Sequence, residues 1–485
     1  MDTAAPQSET VVADIRPGDY GTKVIAVEPG GAEFVPLHER HGSPVQLLWT
    51  WLSPNLEFAT VFLGVLATGI IGLSFPQAAL AILLGTGLGA FSHGVLSARG
   101  PKYGVPQMVL SRIPFGWFGN ALPAGLNAVL AGIGWFAVNS VSGALALNSL
   151  TDLPAWLCLL VVVVLQIVIA VFGHNLVQAF ERYAAPVLGV IFAIACVMTF
   201  VKADYSVAGT GAGIGGFLII VGATFGYAAG WNPYAADYTR YLRPDVSKQR
   251  TGLAAGLGVF LSCTILELAG AASTSIATHA GLNPTTAFTS HLGTVIGDLT
   301  LLAIALGAVA ANAINVYSGA LSFTAMGFHI PLRAARAITA VAFGVLGLIV
   351  ALLGLKDVSS YENFLLVISY WIGPWLGVVF ADWYVRRGHR VDGFLFDRQH
   401  RPYAGWVSMV VGIALSVWLF ADQTLYTGLV PKAVPEFGDI AFFVGFLIAG
   451  ALYLVLFRVQ RGTEPEDAVL VVPTDGTQGS VAARA

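Results

Sequence analysis

Apolar residues in this chain run on in long unbroken stretches instead of alternating or lining one helix face. Twelve such stretches can be placed, at 46–73, 76–98, 121–148, 154–173, 183–202, 213–236, 251–273, 298–326, 336–354, 361–382, 404–422 and 438–458. About 20 predominantly apolar residues suffice to cross a bilayer as a helix. The pattern therefore predicts an all-α polytopic membrane protein with twelve spans. Polar residues gather between the stretches and in two tails, 1–44 and 461–485, which are expected to be mobile.

Composition agrees with the pattern and removes the soluble classes. Of 485 residues, 56% are hydrophobic and 11% charged, with mean hydropathy +0.75. A soluble chain carries about 25% charged residues. The 56 glycines suit closely packed membrane helices. A net charge of −3 gives no reason to expect nucleic acid as a partner. Cys158, Cys196 and Cys263 all fall inside apolar stretches and read as small core residues. The first 44 residues contain no apolar segment of signal-peptide type.

The cationic residues set a direction. With the N-terminus inside, 21 of the 24 Lys and Arg fall in inside segments, leaving Lys202, Lys356 and Lys432 outside. Under the positive-inside rule both termini are cytoplasmic, in a multi-pass protein of the cell membrane. Two motif-like strings carry no chemistry here. His38-Glu39-Arg40-His41 lacks the spacing of a zinc-binding helix, and the glycine run 209–216 opens a membrane span instead of a βα unit.

Two spans are interrupted at matching places. Span 1 contains Ser53-Pro54-Asn55-Leu56-Glu57, and span 6 contains Gly230-Trp231-Asn232-Pro233-Tyr234. Proline removes a backbone donor, and unwound backbone in the membrane is where transporters hold solute and ion. The offset of five spans is that of a 5+5 inverted repeat, 45–202 and 203–382, followed by two trailing helices in 383–460. Trp135 and Asn139 lie one turn apart in span 3, and Asn312 and Asn315 share a face of span 8. Amides without partners cost several kcal/mol in hydrocarbon, so they must face the bundle interior or a polar cavity. Two indoles, Trp135 and Trp231, with several amides describe a pocket for a neutral planar heterocycle. No Lys or Arg lies mid-span to hold an anion.

The string Gly230-Trp231-Asn232-Pro233-Tyr234-Ala235-Ala236-Asp237-Tyr238-Thr239-Arg240-Tyr241 resembles the purine-cytosine permease branch of the nucleobase:cation symporter-1 family. So do Gly100-Pro101-Lys102-Tyr103-Gly104-Val105-Pro106-Gln107, Ser111-Arg112, Phe115-Gly116, Gly134-Trp135-Phe136 and Asn315-Val316-Tyr317-Ser318. The likeness covers about residues 28–460. It implies a leucine-transporter-like fold with helices 1 and 6 broken, and uptake of cytosine or purines with a cation by alternating access. It also implies that Trp135, Asn139, Trp231 and Asn315 contact the base, with Ser53 and its neighbours, Asn55 among them, lining the span 1 break. Asn312 is a further candidate contact from its place in span 8.

In sodium-coupled members of that family, span 8 hydroxyls help hold the ion. Residues 301–314 contain no Ser, and Asn312 is their uncharged oxygen donor. Ionisable residues inside spans mark proton relays. H⁺ is accordingly expected before Na⁺, with Glu57 as first carrier and Glu267 and Asp237 as further candidates. Asp237 can also be read as an inner-gate ion pair with Arg240 and Arg243. No cofactor and no obligate protein partner is expected beyond substrate and bilayer. The alternative substrate is another small heterocycle, such as allantoin, a hydantoin or a B6 vitamer, possibly carried with Na⁺. A gated channel is disfavoured by the paired breaks, and a membrane enzyme by the lack of a catalytic cluster in the spans.

Overall fold

The computed structural model describes residues 9–16, 19–276, 284–328, 335–354 and 361–473. Among them, nine helices are long and apolar enough to cross a membrane, joined by one pair bent at a break. Two shorter apolar helices, Ala337–Leu353 and Ala404–Phe420, occupy the places expected of spans 9 and 11. Span 2 is Phe75–Ser97, span 7 Lys248–Ser273, span 8 Thr294–Ala325, span 10 Tyr361–Val385 and span 12 Ala441–Gln460. Each lies close to its expected place.

Span 5 departs from expectation at its start. The helix runs His174–Lys202, nine residues earlier than its apolar stretch, so that Arg182 is helical and not in a loop. The polar residues in that first part are accommodated by packing: His174, Asn175 and Glu181 are all buried.

Packing groups the spans with the same offset of five that the sequence suggests. Spans 1 and 2 pack with spans 6 and 7; span 3 (Ala121–Thr151) and span 4 (Ala155–Phe172) pack with spans 8 and 9. Glycines let backbones touch at two crossings. A Cβ on Gly64 or Gly270 would collide with the backbone of the partner helix, at Glu267 and Val61 respectively. A Cβ on Gly307 of span 8 would collide with the Leu56 carbonyl in the span 1 break.

The N-terminal segment corrects the expectation of a mobile tail. Strand β1 (Glu9–Val12) pairs in parallel with β2 (Ala468–Val471), bringing a segment before the first span and one after the last to one face of the bundle. Arg16, Tyr20, Glu28, Val35, Glu39 and Arg40 are buried there. Several of their polar groups meet residues of the spans. Glu28 accepts from Arg240 Nη2 (3.1 Å), the Tyr317 hydroxyl (3.3 Å) and the His174 backbone N–H (2.9 Å), and from the Tyr241 hydroxyl. Arg16 pairs with Glu39 and lies 3.5 Å from Glu28. The His38–His41 string belongs to this packing: Arg40 donates to the Val35 and Pro101 carbonyls. Arg333 and Lys356 lie outside the described residues.

Candidate substrate-binding site

Span 1 breaks where its sequence removes backbone hydrogen bonding. Helix Gln46–Leu52 tightens into the 3-10 turn Ser53–Asn55, and helix Phe58–Val65 restarts at an angle of 61° between the two halves. Side chains replace the lost backbone bonds. The Asn55 amide donates to the Trp51 carbonyl (2.7 Å), and the Thr60 hydroxyl to the Asn55 carbonyl (2.7 Å). Glu57 is the N-cap of the second half: its Oε2 accepts from the Ala59 N–H (2.7 Å), and its Oε1 from the Tyr227 hydroxyl (3.0 Å).

Span 6 is interrupted differently. Helix Gly213–Ala229 passes through the 3-10 turn Asn232–Tyr234, led by Pro233, into Ala235–Thr239. Among the spans of the described residues, only span 1 is found bent by more than 40° at a break. Proline at the head of a 3-10 turn forfeits little, because that position lacks an intrahelical donor bond anyway. Both expected interruptions are present, each as a 3-10 turn with proline in its first two positions, and the one in span 1 carries the sharp bend. The two are joined directly, since Trp231 Nε1 donates to Asn55 Oδ1 at 2.9 Å.

Span 3 contributes Trp135 from the end of a π-helical stretch, Leu130–Trp135, a wide turn that recurs at functional sites. Its ring meets Tyr227 and Phe364 edge-on, with centroids at 5.3 and 5.0 Å. Between spans 3, 6 and 8 lies a small space lined by Trp135, Asn139, Tyr227, Gly230, Trp231 and Asn315. Four of the expected contacts thus come together around one space. Ser53, Asn55 and Asn312 are buried but do not line it.

Asn312 instead orders the amides that do. Its Nδ2 donates to the Phe136 carbonyl (2.8 Å) and lies 3.1 Å from the Ser140 hydroxyl. A carbonyl can only accept, so the Asn312 oxygen must face the other way. There it accepts from Asn139 Nδ2 and Asn315 Nδ2, each at 3.1 Å. Tyr234 donates to Asn315 Oδ1 at 3.3 Å. This leaves Asn139 Oδ1, buried and without a hydrogen-bond partner, as an open acceptor. A buried acceptor of that kind is worth about 1–3 kcal/mol to a ligand able to satisfy it.

The expected coupling residues lie apart from one another. Glu57 caps the break, and Glu267 Oε2 accepts from the Thr86 hydroxyl of span 2 (2.6 Å). Asp237 does not form the expected ion pair. Its Oδ1 accepts from the Gln107 backbone N–H (2.9 Å), while Arg240 turns to Glu28 and Arg243 to Asp245 at the surface. Sequence reading missed Tyr227, which touches both the cavity and Glu57; its place one turn before Gly230, in the approach to the span 6 break, was the available signal.

This architecture, with a space lined by aromatic rings and amides beside two interrupted helices, is that of a transporter. The profile of the family described as permeases for cytosine/purines, uracil, thiamine and allantoin matches residues 34–445, and the chain belongs to that family. It is a permease and not an enzyme. The chain is 28% identical over 452 residues to the purine-cytosine permease fcyB of Emericella nidulans, covering 89% of this chain and 88% of that one. It is likewise 28% identical over 443 residues to the purine-cytosine permease FCY2 of Saccharomyces cerevisiae, covering 84% and 81%. Among solved structures it resembles Mhp1, a nucleobase-cation-symport-1 family transporter in a closed conformation with bromovinylhydantoin bound. That likeness has a TM-score of 0.71 at 20% identity and covers 91% of this chain and 97% of that one. It shows the fold.

Proposed function

We propose that the protein imports a neutral nucleobase, cytosine or a purine, with a coupled proton. The observation that carries this reading is the lining of the cavity: two indoles, a phenol and two amides, with no charged side chain and one open amide oxygen. A nucleobase presents a π-face to such indoles and ring or exocyclic N–H groups to such an oxygen. The names of the relatives support the same substrate class. Trp135, Asn139, Trp231 and Asn315 hold the base; Asn312 orients the amides, and Ser53 and Asn55 shape the break.

The proton reading rests on the Glu57 carboxyl at the span 1 break and on the lack of hydroxyl side chains in residues 301–314 of span 8. Glu57 is the first carrier, with Glu267 behind it and Asp237 towards the inner face. The face carrying β1 and β2 is cytoplasmic in the plasma membrane, as the distribution of Lys and Arg supports. Substrate and proton enter from the opposite face and leave past the Glu28 cluster.

The test is uptake of radiolabelled cytosine by proteoliposomes, competed by adenine, hypoxanthine, uracil, allantoin and pyridoxine. Cytosine or a purine should compete best, and a proton gradient should drive uptake without Na⁺. Strongest competition by allantoin or pyridoxine would overturn the substrate. Uptake that needs Na⁺ and ignores the proton gradient would overturn the cation.

A further inference from the structure

Spans 1, 5 and 6 enclose a carboxyl group that none of the roles above uses. Glu181 stands in span 5, seven residues from the start of its helix at His174, about 10 Å along the axis. It is fully buried, and neither carboxyl oxygen has a hydrogen-bond partner. No ion-pair partner for it exists among the described residues. The polar groups that face it are the Ser53 hydroxyl from the span 1 break and the Tyr238 phenol from the C-terminal end of span 6. Span 5 also packs on spans 4, 7 and 8, and none of them brings a charged side chain to it.

The other carboxyls of this region are held differently. Glu57 accepts from a backbone N–H and a phenol, and Glu28 accepts from two arginines, two tyrosines and a backbone N–H. Glu267 has one oxygen satisfied by Thr86. Glu181 alone of the four has neither oxygen satisfied. An ionised carboxylate there would be an uncompensated charge in a low-dielectric interior, whereas the acid form carries none. The charge state of Glu181 therefore depends on whether water reaches it.

Below Glu181 lie His174, Tyr241 and Arg240, whose cluster with Glu28 closes the face carrying β1 and β2. Above it lies Ser53, in the break beside the substrate cavity. Resting on the proton-coupled reading above, we propose that Glu181 is the inward station of the coupled proton. It holds the proton as a neutral acid while the Glu28 cluster is closed and gives it up when that cluster opens. The proton arrives from water in the outward-open break and forms the O–H bond of Glu181. On inward opening that bond breaks, the proton leaves to a cytoplasmic water, and the carboxylate is left hydrated until the next cycle. Nothing is oxidised or reduced. Span 5 thereby ties proton release to the same movement that frees the base.

The test separates movement of the base from movement of the proton. Full-length Glu181→Gln keeps the shape and the neutral state, so in proteoliposomes it should retain at least half of wild-type [3H]cytosine counterflow. Accumulation driven by an inward proton gradient should fall to the equilibrium level, and cytosine-induced proton uptake should vanish. Wild-type accumulation and proton uptake by Glu181→Gln would overturn the proposal. If Glu181→Gln also loses counterflow, Glu181→Asp decides: recovery of both counterflow and accumulation upholds the need for an acid, and loss of both overturns it in favour of a packing role. Absence of [3H]cytosine counterflow in the wild type would sink the nucleobase reading and this inference with it, and it would be seen before any substitution is made.

Discussion

The Glu28 carboxylate lies 3.1 Å from the Arg240 guanidinium, tying a residue that precedes every span to the C-terminal end of the sixth. Both side chains are buried, and Tyr241, Tyr317 and the N-terminus of the span 5 helix converge on the same carboxylate. Removing one partner of a buried ion pair typically costs about 3–5 kcal/mol. Glu28→Gln should therefore loosen the face that carries β1 and β2. A cysteine placed at Ser318, on the buried face of span 8, should react several-fold faster with a small methanethiosulfonate in that background. An unchanged rate would show that the cluster does not close the path.

Trp135 and Asn139 lie one turn apart and both line the cavity. Stacking on an aromatic ring is worth about 1–3 kcal/mol per base. Trp135→Ala should weaken cytosine binding by about 5- to 150-fold in an equilibrium radioligand assay. Asn139→Ala removes the open amide oxygen and should weaken binding by about tenfold or more. Wild-type affinity in both variants would remove the cavity from consideration.

Glu57 combines a cap with a carboxyl group, and two substitutions separate them. Glu57→Gln keeps an oxygen for the Ala59 N–H, so its thermal unfolding profile should match the wild type while gradient-driven accumulation is lost. Glu57→Ala loses the cap as well and should be less stable, by about 1 kcal/mol. Accumulation retained by Glu57→Gln would leave Glu57 as a cap only.

Gly307 tests the approach of span 8 to the break. A Cβ there would meet the Leu56 carbonyl, which is fixed backbone. Overpacking of this kind costs about 1–3 kcal/mol, so Gly307→Ala should lower the unfolding temperature and reduce uptake. Gly87→Ala is the matched control, since the nearest atom to its Cβ would be Phe260 Cε2 at 3.8 Å, an ordinary contact. Equal behaviour of the two variants would contradict the packing described.

The spans were legible because hydrocarbon demands long apolar runs, and the breaks because Pro54 and Pro233 cannot donate. Trp135, Asn139, Trp231 and Asn315 were legible as polar or aromatic side chains where lipid tolerates few. What stayed hidden depends on partners distant in sequence. Asn312 has the chemistry of a ligand contact, but Phe136, Ser140 and two neighbouring asparagines absorb its whole amide. Glu181 and His174 look like loop residues until the N-terminal segment and span 1 cover them. Glu28 looks like part of a solvated tail because nothing near it in sequence reveals the two arginines it meets.

The pairing of β1 with β2 has a consequence for biogenesis. Residues Glu9 and Ala468 are partners in register, so strand β1 finds its neighbour only after the spans between them have been made. Until then the segment bearing Glu28 lacks its strand anchor, and a half-inserted chain is without the complete seal around it. A nascent permease that stalls before its last strand would thus be distinguishable from a finished one at the membrane surface, where proteases and chaperones sample it.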